Sequence, residues 1–180
     1  MQSGVANYAS PAIEAIAAVI ARGTGGGMAD QAEAYDTDLA LWAESQARAL
    51  RDAGHAGTNL PIDRENVAEE IEALGKSQAR EKASRIRTIL VHLIKLQASP
   101  ASHPRTGWRA TIQRERDEIE SVLADSPSLR PTVPAVVEAT IGKARRLAAL
   151  DLADFAEAPQ VEPDGLGYQA AQVLDDWFPS

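Results

Sequence analysis

Six side chains have the type and spacing to do chemistry. Glu69, Glu70 and Glu72 stand together in the run Asn66-Val67-Ala68-Glu69-Glu70-Ile71-Glu72, and carboxylates three residues apart on a helix face one another closely enough to share a divalent cation. His92 offers an imidazole that titrates near neutrality, Lys95 an ammonium one turn further on, and Arg116 a planar guanidinium fork. Structural roles compete with each of these. Glu69 and Glu72 share a side with Glu65, whereas Glu70 lies near Val67 and Ile71 and is expected to turn inward. His92 and Lys95 fall near the end of a long helical pattern, where positive groups stabilise the last carbonyls, so a structural histidine is the expectation. Arg116 sits between Ile112 and Ile119 and cannot avoid the interior; a buried guanidinium is costly unless paired, so a carboxylate partner is expected, Glu70 first and otherwise Glu69 or Asp63.

The elements that position these groups follow from periodicity. From about residue 63 to residue 98 apolar residues recur at helical spacing, Val67, Ile71 and Leu74 in the first half and Ile86, Leu90, Leu93 and Ile94 in the second. Asp63 is the expected N-cap, Ser99-Pro100 the stop, and Gly75 a place where the helix bends or breaks, with Ser77 as a new cap. The basic run Lys76, Arg80, Lys82, Arg85 and Arg87 reads as a solvated face. An earlier helix is expected from Asp36 or Asp38 to Ala53, burying Leu39, Trp42, Gln46 or Ala49, and Leu50. Thr106 is the expected cap of a helix over 107–124, and Thr132 that of a further helix with the stripe Val137, Ile141, Ala144, Leu147 and Ala148. Residues 151–167 read as an acidic connector, and Val173, Leu174 and Trp177 as tail residues that dock. The pattern predicts an all-α fold: a single helical bundle built around one long, possibly bent helix over about 63–98 with three or more covering helices.

Composition agrees. In 180 residues, 44% are hydrophobic but only 4% aromatic, with Ala, Leu, Arg and Glu prominent, as suits helices better than sheets. The net charge of −8, from 26 acidic and 18 basic residues, repels nucleic acid and anionic membranes. No cysteine is present, so there is no thiolate chemistry, and a cytoplasmic setting is expected. Residues 1–27 form a separate unit: Ser10 and Pro11 start a short amphipathic helix whose Ile13, Ile16 and Ile20 share a stripe, followed by the tether Gly23-Thr24-Gly25-Gly26-Gly27. That stripe is a candidate partner-docking surface; an upstream stretch before a true start at Met28 and an added leader are the competing readings. Residues 28–180 make up the bundle domain.

Strong catalytic signatures are missing: there is no phosphate loop, HExxH, GxSxG or CxxC. The block Asn66 to Glu72 resembles the acidic ExxE helices of all-α metal-dependent nucleotide pyrophosphohydrolases, but Glu115, Asp117, Glu118 and Glu120 alternate with Arg114 and Arg116 and do not form a clear second acidic motif. From about Tyr35 to the C-terminus the chain resembles the domain of unknown function 29 family of bacterial proteins. Tyr35-Asp36-Thr37-Asp38 with Trp42, Asn66, Glu69 through Gly75 with Ser77, His92-Leu93-Ile94-Lys95, Trp108 with Ile112 and Arg116, and Ser126-Pro127-Ser128-Leu129 carry the resemblance. It implies a compact all-helical domain of unassigned role.

The expected function is that of a non-catalytic interaction or adaptor module with a protein partner, recruited through the N-terminal helix and needing no cofactor or metal. The enzyme alternative is a metal-dependent hydrolase of nucleotide-type substrates that uses Glu69, Glu70 or Glu72 with His92. Nucleic-acid binding is a third reading. No membrane association is expected.

Overall fold

The computed structural model describes residues 28–55 and 61–179. The N-terminal segment with Ile13, Ile16 and Ile20 lies outside the described residues. Helices α1 (Met28–Thr37), α2 (Leu39–His55), α3 (Arg64–Ala98), α4 (Arg105–Asp125), α5 (Val133–Asp154) and α6 (Ala170–Leu174) follow one another, with 3₁₀ turns at Pro127–Thr132 and Pro163–Gly165. No strand occurs among the described residues, and the all-α expectation holds.

Helix α3 is the axis. Its 35 residues span about 50 Å, and Asp63 caps it by accepting from the Asn66 backbone N–H at 3.2 Å. At the other end Ser99 donates its N–H to Lys95 O, and Gln160 N–H satisfies Ala98 O at 2.8 Å.

Two separate clusters lie along this axis. On the first half of α3, Ala68 and Ile71 pack with Ala43, Ala47 and Leu50 of α2, flanked by Trp42, Val67 and Leu74. Small residues make this contact close. The helix runs unbroken through Gly75 and Ser77, so neither is a stop or a cap, and a Cβ on Gly75 would stand 3.1 Å from Ala40 O and 3.4 Å from Ala40 Cα. Its missing side chain is the space in which α2 crosses α3.

The second half of α3 is apolar on nearly every side, as expected of a helix enclosed by its neighbours. Ile86, Ile89, Leu90, Leu93, Ile94 and Leu96 are fully buried, each worth roughly 1.5–3 kcal/mol of transfer free energy. Helices α4 and α5 flank α3 and pack on it far more than on each other. The C-terminal tail closes one side through Val173, Leu174, Trp177 and Phe178.

Several expectations shift. The chain is helical from Met28, with a break at Asp38, because Asp38 turns to cap α2 by accepting from Leu41 N–H at 2.9 Å. Gln46 is buried and Ala49 exposed. Helix α4 starts at Arg105, with Thr106 inside it and Pro104 in the cap position. Thr132 stands at the α5 cap position without capping it; its hydroxyl donates to Leu129 O at 2.7 Å. Leu147 is exposed while Leu152 is buried. Helix α5 runs on to Asp154 and ends in a Schellman turn, in which Glu157 N–H bonds Leu152 O and Ala156 N–H bonds Ala153 O. Ala156 adopts the left-handed conformation that this turn demands, with φ 54°.

Candidate functional site

The six candidate residues do not converge. Glu69 and Glu70 are exposed on α3, and Glu70 does not turn inward. Its expected neighbours Val67 and Ile71 pack in the cluster with α2. Glu72 is half-buried and engaged on both sides: Arg51 Nη2 donates to it at 3.0 Å and Lys76 Nζ lies 2.9 Å away. Lys76 and then Arg51 hold the Glu72 carboxyl below the usual carboxylate range. His92 is on the same helix but five to six turns on, about 30 Å along the axis, so the acidic block and the imidazole cannot act on one substrate atom. Among the described residues, no cluster of three or more His, Asp or Glu side chains is arranged to hold a metal ion.

His92 and Lys95 do belong together. They stand where α3 meets Trp108 of α4 and Asp151 of α5. The Lys95 stem is buried, its ammonium donates to Asp151 Oδ2 of α5 at 2.8 Å, and it lies 4.9 Å from the ring centroid of Trp108 on α4. The aromatic face and the carboxylate together offset the cost of burying the charge. His92 Nδ1 is buried without a hydrogen-bond partner. Burial, assisted by the Lys95 charge, pulls its pKa below that of a free imidazole, while Asp151 and Glu115 oppose the shift. His92 thus stands beside the Lys95 cation near the end of α3.

Arg116 is buried as expected, at 5% exposure, but no carboxylate meets it. Its Nε donates to Val173 O at 3.0 Å, and its Nη2 donates to Gln172 O at 2.9 Å and to Trp177 O at 2.7 Å. The ring of Phe178 covers its face at 4.9 Å. These carbonyls lie in the last turn of α6 and just beyond it, where no intrahelical donor remains. A planar fork of donors suits that cluster of acceptors. Burial lowers the Arg116 pKa, and the charges of Asp176 and Asp175 oppose that shift. The long helix is therefore not its partner, and the predicted Glu70, Glu69 or Asp63 pair is replaced by a clamp on the tail.

Three polar contacts escaped the sequence reading. Lys82, expected on a solvated face, is 1% exposed; its ammonium donates to Leu129 O at 3.0 Å and to the Thr132 hydroxyl at the α4–α5 corner, and burial lowers its pKa. Asp38 accepts from the backbone N–H of Ser128 at 2.6 Å and from its hydroxyl at 2.9 Å. Ser126 Oγ accepts from Ala40 N–H at 3.2 Å. Two motifs far apart in the chain, Tyr35 to Asp38 and Ser126 to Leu129, thus fasten the start of α2 to the α4–α5 corner.

Comparison with known proteins agrees with this architecture. A solved structure described as an α-helical protein of unknown function from Rhodospirillum rubrum superimposes with a TM-score of 0.68 at 28% identity, covering 81% of this chain and 91% of that one. No curated protein matches the chain. The profile of the family described as Domain of unknown function DUF29 matches residues 34–178, from the last turn of α1 to the clamped tail, and the chain belongs to that family.

Proposed function

We propose that this protein is a non-catalytic helical interaction module that presents a protein-binding surface at the C-terminal end of α5. The observation that carries this reading is the exposure there of Leu150, at 61%, and Phe155, at 76%, with Leu147 one turn earlier. Large apolar side chains grouped at one end of a helix are a recurring mark of association surfaces. The candidate polar residues favour the same reading, because Glu72, Lys95 and Arg116 are engaged in holding helices and tail together. No helix among the described residues is long and apolar enough to cross a membrane. As part of the same proposal we place the work in the cytoplasm, in keeping with a chain free of cysteine, and expect no cofactor.

The test is affinity capture from the native host with the full chain and with a Leu150→Glu, Phe155→Glu double variant. Both substitutions are on the surface and should leave thermal stability within about 0.5 kcal/mol. Loss of a defined co-purifying protein by the folded double variant supports the reading. An unchanged set of partners removes this surface from the account.

A further inference from the structure

A cleft of about 520 Å³ opens between α5 and the segment that leads into α6. Its floor is apolar, built from Pro134, Val137 and Ile141 of α5 and from Ala170. Two charged side chains on the same stripe of α5 line it as well, Glu138 and Arg145. They are two helical turns apart, a separation of about 10 Å. Arg145 spends its Nε on Leu166 O at 2.8 Å; its terminal nitrogens, and the Glu138 carboxylate, form no hydrogen bond or ion pair with any described residue. The wall opposite α5 is extended backbone, with Leu166 at φ −83°, ψ 130° and Gln169 at φ −87°, ψ 160°. Between them the backbone N–H and C=O groups of Gly167 and Tyr168 have no partner among the described residues.

We propose that this cleft binds the free C-terminus of a partner polypeptide that carries a basic residue three positions before its end. Each part of the site recognises one part of such a segment. The unused fork of Arg145 matches a terminal carboxylate, which it can hold by two parallel N–H···O bonds. The unpaired backbone of Gly167 and Tyr168 offers main-chain hydrogen bonds to a chain lying alongside, as in strand addition. The apolar floor takes small or aliphatic side chains. Glu138, about 10 Å from the carboxylate site, meets a lysine or arginine, because an extended chain covers about 3.3 Å per residue. A small carboxylate without a main chain would leave the Gly167–Tyr168 wall unused. The tail of this chain is engaged elsewhere, because the carbonyls of Gln172, Val173 and Trp177 are held on Arg116. This site is on a different part of the surface from the Leu150 and Phe155 patch, and the two readings stand or fall separately.

The test uses the full chain and synthetic peptides. Fluorescein-labelled Gly-Ala-Lys-Val-Ala-Leu with a free carboxylate is titrated by fluorescence polarisation beside its C-terminal amide and a form with glutamate in place of lysine. The amide and the glutamate form should each bind roughly tenfold or more weakly than the parent, the scale expected for losing one charge-assisted contact. Arg145→Gln should weaken the parent peptide by a similar factor. Glu138→Lys, an exposed change that leaves the fold in place, should reverse the preference and favour the glutamate peptide. Equal affinity for acid and amide, no reversal by Glu138→Lys, or no polarisation change up to millimolar protein each overturns the proposal. None of these results depends on partner capture through Leu150 and Phe155.

Discussion

Removing the Arg116 guanidinium separates two accounts of why an arginine is buried in this bundle. In Arg116→Ala three carbonyls, of Gln172, Val173 and Trp177, lose a charged donor at once, and Phe178 loses one of the two guanidinium groups over its ring, keeping that of Arg109. A hydrogen bond to a charged group contributes roughly 1.5–3 kcal/mol. The three share one donor group and one flexible tail, so they do not add in full, and the expected cost is about 3–5 kcal/mol. For a chain of this size each kcal/mol shifts the midpoint by about 2–4 °C, which puts the drop at about 6–20 °C. Circular dichroism melts give the midpoint, and limited proteolysis gives the location: the first new cleavage should fall after residue 166, where the released tail begins. Glu70→Gln is the control. If a carboxylate on α3 held Arg116, it would destabilise comparably, but exposed Glu70 should change stability by less than about 0.5 kcal/mol. An Arg116→Ala protein that melts within 2 °C of the parent, or a Glu70→Gln protein as unstable as Arg116→Ala, would refute the clamp.

Other substitutions probe other joints. Gly75→Val should cost about 1–3 kcal/mol in urea unfolding despite removing a helix-interior glycine, because the new side chain enters the backbone of α2 at Ala40; a stabilised variant would show that α2 has room to move. Ala156→Gly should stabilise by about 0.5–1 kcal/mol in the same assay, since the left-handed conformation at φ 54° costs alanine more than the greater freedom of glycine costs on folding, and a loss of stability would contradict the Schellman assignment. His92 has a pKa below 6.5 in the folded protein, so just below pH 6.5 the unfolded chain holds the extra proton; stability contributed by the neutral ring is complete above that pH and declines as pH falls toward the folded value. Denaturation midpoints at pH 7.5 and 5.5 should therefore converge in His92→Gln relative to the parent, and an unchanged difference would remove His92 as the source.

What the sequence made legible, and what it hid, has a physical pattern. The long helix, its Asp63 cap, its Ser99 stop and the docked tail are local signals or one-element periodicities, and they appear where expected. Arg116 illustrates the limit: its burial follows from its place between Ile112 and Ile119, but its partners are backbone carbonyls, which every residue carries and no side-chain pattern marks. Lys82 reads as a surface residue for a related reason: its stretch of α3 alternates charges like a solvated face, and only the α4–α5 corner closes over it. At Gly75 helix propensity is the one local signal, and the deciding fact, the approach of Ala40, comes from a different helix. Among the candidate site residues, the burial of Arg116 and the nearness of His92 and Lys95 on α3 were readable. The motifs around Asp38 and Ser128 were visible as family resemblance, but their pairing across ninety positions became explicable only once the corner was in place.

The division of the apolar interior into two clusters along one helix has a mechanical consequence. Among the described residues no buried apolar side chain belongs to both, and the hydrogen bonds that tie the start of α2 to the α4–α5 corner are those at Asp38–Ser128 and Ala40–Ser126. Stress applied at α2 is therefore borne first by its own small core of Ala43, Ala47 and Leu50 and by these polar links. The half of α3 from Ile86 onward is held by α4, α5 and the tail. Amide exchange should accordingly proceed in two steps, with α2 and the first turns of α3 opening at a lower free energy than the enclosed second half, so that one continuous rod carries a detachable strut at one end and a permanent anchor at the other.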